Sequence, residues 1–236
     1  MDMTRRRFMA PVVAIAAASA CFALAGSASA LPGAVINQLF GARMIRAEVL
    51  VLAPDGSTQD YRIDRGTVTA LTSTQITLRE ANGDVVPIQL ATGVQVQGAG
   101  RLGLLARLRR NLRVTVYRLA NAPANLVEVE GRAAVAQTLL TQLSGGGMVR
   151  AEVLVVAPDG STQDYRIDRG TVVAITPALI TLHEANGDVV PIQLAAGAQV
   201  QGRLANLLRL RRSVGVSVLR LANATAGVVQ VESVGP

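Results

Sequence analysis

Residues 46–98 read RAEVLVLAPDGSTQDYRIDRGTVTALTSTQITLREANGDVVPIQLATGVQVQG, and the same stretch is written again at 150–202. The offset is 104, and nine of the 53 aligned positions differ. The chain is therefore a tandem duplication, and one reading of the stretch serves both copies. Arg46 to Ala53 is rich in Val and Leu, and Pro54-Asp55-Gly56-Ser57 supplies turn chemistry. Asp60 to Asp64 alternates, with Tyr61 and Ile63 on one face and Asp60, Arg62 and Asp64 on the other. Gly66 interrupts and suits a bend or bulge. Thr67–Leu71 and Gln75–Glu80 follow, the latter with Ile76 and Leu78 inward and Thr77 and Arg79 outward. Asn82-Gly83 is a strong hairpin signal, and Val86, Ile88 and Leu90 form the next inward row. Pro87 has no N–H to donate and belongs at a sheet edge or a bulge, and Val94 and Val96 predict one more short strand.

Working outward, the period changes at Arg101 to Arg110, where Leu102, Leu105 and Leu108 recur every three residues between arginines. This predicts a short amphipathic helix, followed by closing strands around Val114–Val116 and Val127–Val129. The second copy follows suit: 203–212 helical, then strands over 214–221 and 228–231. Upstream, Val35, Ile36, Leu39 and Phe40 form the apolar stripe of another short helix, with Gly41 as its stop. Val135, Leu139, Leu140 and Leu143 form the equivalent stripe before the second copy, and Gly145-Gly146-Gly147 ends it. Clean alternation means one buried face per sheet. A short antiparallel sheet of six to eight strands most economically closes on itself, which removes its edges. The expected fold is mainly β: two tandem small antiparallel β-barrels, each with a short helix before it and one helix before its last two strands. The expected boundaries are a leader over 1–30, the first repeat with its leading helix over 31–131, a helix and glycine linker over 132–147, and the second repeat over 148–236.

Half the residues are hydrophobic, so a core is available, and 22 glycines and 9 prolines punctuate the chain without forming tracts. The net charge is +7, carried entirely by arginine on the basic side, which suits association with acidic partners or an anionic surface. Met1 to Ala30 has the three parts of a signal peptide: Arg5-Arg6-Arg7, an apolar run over 10–25, and Ala28-Ser29-Ala30. Thr4-Arg5-Arg6-Arg7-Phe8-Met9 resembles the twin-arginine export motif through Arg5, Arg6 and Phe8. The resemblance implies export in the folded state; an ordinary secretory signal with three arginines is the alternative. Cleavage after Ala30 would leave a mature chain starting at Leu31, without the single cysteine, Cys21, and with 20 arginines against 15 acids.

From Gly66 to Val129, GTVTALTSTQITLREANGDVVPIQL through RVTVYRLANAPANLVEVE resembles the small OB-like β-barrel domains of uncharacterised exported bacterial proteins. The expected barrel is OB-like or SH3-like; the motifs carrying the likeness are turn glycines and apolar alternation, and they bring no catalytic residue across.

Chemistry-bearing residues are few. His183 is the only histidine, and its counterpart is Arg79 on an outward strand position, which makes it a surface residue. The absence of lysine excludes a P-loop. Asp55, Asp60 and Asp64 recur as Asp159, Asp164 and Asp168; oxygen-rich loops can hold Ca²⁺, but turn residues and cross-strand ion pairs account for them better. Arg101, Arg107, Arg109, Arg110 and Arg113, repeated as Arg203, Arg209, Arg211 and Arg212, form a candidate polyanion patch. They also suit the solvated face of an amphipathic helix. Nucleic acid is disfavoured as the polyanion, because only Phe40, Tyr61, Tyr117 and Tyr165 lie downstream of Ala30 to stack on bases.

The expected function is that of an exported, non-enzymatic binding or structural protein of the cell envelope or extracellular space. Its expected partner is an anionic envelope component or another envelope protein, with no cofactor and no metal. The first alternative is a polyanion binder using the arginines for a wall polymer, lipid headgroup or nucleic acid; the second is a metal-dependent hydrolase using the aspartates.

Overall fold

The computed structural model describes residues 39–98, 111–130, 147–201 and 214–232. It is almost entirely strand. The first half contributes β1 (Met44–Leu52), β2 (Thr58–Leu71), β3 (Gln75–Arg79), β4 (Val85–Gln97), β5 (Arg113–Leu119) and β6 (Ala124–Val129). The second contributes β7 (Met148–Val156), β8 (Thr162–Ile175), β9 (Leu179–Glu184), β10 (Val189–Gln201), β11 (Gly215–Leu221) and β12 (Ala226–Val231).

Strands β2, β3, β4, β6 and β5 pair in that order, and β5 returns to β2, closing a five-stranded barrel. All its pairings are antiparallel except β4 with β6, which is parallel. The same cycle of pairings recurs through β8, β9, β10, β12 and β11.

Two strands are longer than the alternation predicts. Asp60–Asp64 and Thr67–Leu71 belong to one strand, β2, which carries β1 along its first half and β3 along its second. Gly66 sits at the changeover. A Cβ there would lie 2.6 Å from the carbonyl oxygen of Arg79, so only glycine lets β3 approach. Val86–Leu90 and Val94–Val96 likewise fuse into β4, bent between Leu90 and Gln95 where Gly93 takes a φ of +79°. Glu80 N donates to Asp84 O and Leu90 N to Thr74 O, so the even-numbered residues of β4 bond β3. Pro87 is odd, and its missing N–H falls on the edge away from β3, where no donor is needed.

Each ring has its own apolar filling. Val68, Ile76, Leu78, Ile88, Val114, Val116 and Val127 are among those inside the first, and Val172, Ile180, Leu182, Ile192, Val216, Val218 and Val229 among those inside the second.

The halves are not independent shells. β1 pairs antiparallel with β7, making all twelve strands one sheet. Beneath this seam lies a third core drawn from both halves, with Ala47, Val49, Val51 and Ile63 beside Ala151, Val153, Val155 and Ile167. Alternation along a strand reports which face is buried, not which strand lies alongside, so this joint core was not predicted. Leu39 and Phe40, from the expected leading helix, are 1% and 5% exposed and belong to it. The remainder of that helix, the helices expected over 101–110, 132–143 and 203–212, and the leader over 1–30 lie outside the described residues.

Candidate functional site

The seam has a pseudo-twofold axis. Ala47 faces Val153, Glu48 faces Glu152 and Val49 faces Ala151; under the 104-residue offset this register maps onto itself. Glu48 and Glu152 are the pair on the axis. Like charges directly opposite one another destabilise a strand pair. Each is neutralised from its outer neighbour: Arg62 Nη2 lies 3.1 Å from Glu48, and Arg166 Nη1 lies 3.2 Å from Glu152. Arg118 is opposite Arg62, and Arg220 is opposite Arg166. One row of side chains therefore runs Arg118, Arg62, Glu48, Glu152, Arg166, Arg220 across six strands.

Arg62, Asp64, Gly66 and Val68 share one side of β2, and Val68 is inside the barrel. Arg62 and Asp64 therefore lie on the same side of β2 as the start of the apolar filling. Asp64, 5% exposed, pairs with Arg118 at 3.2 Å, and Asp168 pairs with Arg166 at 2.9 Å and Arg220 at 3.3 Å.

Arg46 reaches from β1 to Glu80 at 2.5 Å and Asp84 at 2.9 Å, tying the β3–β4 hairpin to the seam. Arg150 does the same with Glu184 and Asp188. The side chains of Glu80 and Glu184 are fully buried. Each has an Oε1 with no hydrogen-bond partner among the described residues. Burial pushes both carboxyls above the ordinary glutamate value, against the pull of their arginines.

On the opposite face the copies differ. In the first, Tyr117 is buried and donates its hydroxyl to Glu128 Oε2 at 3.1 Å; Glu128 is itself 4% exposed. Burial, the charge of Glu128 and the donated hydrogen bond push the tyrosine far up; burial also raises the glutamate. Leu219 and Gln230 occupy the matching positions in the second copy. Beside the pair, Arg65 holds Glu130 and the carbonyl of Gly41, while Arg169 holds Glu232.

The residues singled out from sequence fall as follows. Asp55 and Asp159 cap exposed turns, each accepting from the backbone N–H and hydroxyl of Ser57 or Ser161, and these bonds lower their pKa values. Asp60 and Asp64 are four residues apart on an extended strand, roughly 13 Å, so they cannot share a small cation. Among the described residues no group of three or more His, Cys, Asp or Glu side chains is arranged to hold a metal ion. His183 is exposed on β9. Of the arginine patch only Arg113 lies among the described residues, at the start of β5, exposed and 4.0 Å from Glu130. Arg101, Arg107, Arg109, Arg110, Arg203, Arg209, Arg211 and Arg212 lie outside them, as do Arg5, Arg6, Phe8 and Ala30.

Sequence reasoning missed Arg46, Glu80, Asp84, Arg118, Tyr117 and Glu128. No helix among the described residues is long and apolar enough to cross a membrane. No family model matches the chain, and no curated protein matches it. Among solved structures it is similar to a deletion mutant of the single-stranded DNA binding protein from Thermus aquaticus. That likeness is 14% identical, spans 82% of this chain and 94% of that one, and has a TM-score of 0.15. A superposition that loose carries no functional weight.

Proposed function

We propose that this chain is an exported, non-enzymatic binding or structural protein of the cell envelope or extracellular space. Its working part is two tandem OB-like barrels, each with a helix before it and a helix before its last two strands, the barrels sharing one seam. Strand order and the parallel β4–β6 pairing support the OB-like reading, and the recurrence of the pairing cycle supports the tandem one. The arginine-rich head, apolar run and Ala28-Ser29-Ala30 support export.

The distribution of charge carries the choice of partner. Among the described residues eleven arginines stand against fifteen carboxylates, and nine of the eleven, arginines 46, 62, 65, 113, 118, 150, 166, 169 and 220, pair with them. Residues 101–110 and 203–212 each hold four arginines and no acid. Surplus positive charge is thus concentrated in these two stretches. This favours an anionic wall polymer or lipid headgroup, with two linked sites adding avidity.

Retention on anionic cell-wall polymer, measured against salt, tests this. The substitutions Arg107→Ala, Arg109→Ala and Arg110→Ala together are expected to weaken retention and flatten its salt dependence. Unchanged elution would remove the arginines from the function.

A further inference from the structure

The residues that make the seam are the same on both sides. Arg46–Val51 and Arg150–Val155 are identical in sequence, and the register is centred on equivalent glutamates. Nothing in the strands themselves distinguishes β7 of the same chain from β7 of another. Intramolecular pairing is favoured by the tether over residues 130–147. As a short covalent connection it holds the halves at an effective concentration on the order of millimolar.

The joint core beneath the seam is not symmetric. It contains Tyr117 from the first half, where the second contributes Leu219. Two first repeats facing one another would bring two Tyr117–Glu128 pairs to one core, adding a second buried carboxylate; two second repeats would bring only leucines. Each like pairing changes the volume and polarity of a packed interior, and buried charge adds to the cost. Only the unlike combination gives the composition seen here.

We propose that this seam is a self-recognition surface whose partner is the unlike repeat. In dilute solution that partner belongs to the same chain. When chains are concentrated, it is supplied by a second copy, giving a dimer in which halves are exchanged and β1 of each chain lies against β7 of the other. Among the described residues every strand pairing and the mixed core are retained, so exchange exposes no new apolar surface there. This does not rest on the envelope reading.

The test uses the full chain with Cys21→Ser and Glu48→Cys/Glu152→Cys. Directly opposed antiparallel residues have Cα atoms about 4.5–5.5 Å apart, within disulfide range. Refolded at about 10 µM and oxidised, the double variant is expected as an internally crosslinked monomer. Refolded at about 1 mM, about half is expected as a covalent dimer on non-reducing gels, that being the tether's effective concentration. Glu48→Cys alone is expected to stay uncrosslinked at both concentrations, because first repeats do not face each other. Light scattering on the unsubstituted chain, refolded the same way, must show the same concentration-dependent dimer. No dimer in either measurement, or crosslinking of Glu48→Cys alone to the same extent as the double variant, would overturn the proposal.

Discussion

Replacing Glu128 by glutamine should make the protein more stable at neutral pH, although it removes a charge-assisted hydrogen bond. Glu128 is 4% exposed and, among the described residues, accepts a hydrogen bond from a neutral donor, Tyr117, at 3.1 Å. The neighbouring Glu130 adds repulsion. Glutamine keeps the shape and still accepts from Tyr117; weakening that bond costs about 1 kcal/mol. Removing an ionised group from a largely buried site returns part of the desolvation penalty, which reaches several kcal/mol only for a fully buried ion. The expected net gain is about 1–2 kcal/mol at pH 7, or about 2–8 °C in Tm if the described strands unfold together.

The sign of the pH dependence follows from the raised folded-state pKa. The wild-type carboxyl contributes its full stability below the unfolded value, near 4.5, and loses it as pH rises through the folded value. The advantage of Glu128→Gln should therefore be near zero at pH 4.5 and grow to its full size by pH 7.5. Glu80 and Glu184 titrate in both proteins, so the difference isolates Glu128. Urea unfolding of both proteins across that range is the assay. A variant less stable than wild type at pH 7.5, or a difference that does not change with pH, would refute the reasoning.

Arg46→Ala leaves the fully buried Glu80 without its ion-pair partner and should destabilise by about 1–3 kcal/mol, the lower end reflecting the 41% exposure of Arg46. Arg46→Met with Glu80→Gln should recover most of that loss in chemical denaturation. Gly66→Ala drives a Cβ to 2.6 Å from a backbone oxygen and should cost more than about 2 kcal/mol. Gly83→Ala meets no atom within 4 Å but must hold a φ of +94°, so about 1–2 kcal/mol is expected. Equal losses at the two glycines in thermal unfolding would contradict the close approach at Gly66.

Much of the barrel was legible because alternation and turn chemistry are local. Ile76 and Leu78 point inward, Asn82-Gly83 turns a hairpin, and Pro87 lies at an unpaired edge, each for a reason contained within a few residues. Gly66 was legible as a bend, but not as the place where one strand changes partner, because that depends on β1 and β3 arriving from opposite directions in sequence.

The seam was illegible for a related reason. RAEVLVL advertises one buried face and says nothing of its neighbour. Arg46, Glu80 and Asp84 meet across more than thirty residues, and in repeats this similar their joint recurrence as Arg150, Glu184 and Asp188 stands out no more than any other triplet. The buried pair left little trace: Tyr117 and Glu128 become Leu219 and Gln230, but these are two of six differences over the thirteen positions of the closing strands.

The seam itself is the most exposed point of the account, and nuclear magnetic resonance on isotopically labelled full-length protein reaches it directly. Cross-strand contacts are expected between β1 and β7 in a register centred on Glu48 and Glu152, with slow amide exchange along both strands. Finding β1 amides that exchange at the rate of an open edge, with no contact to β7, would contradict it.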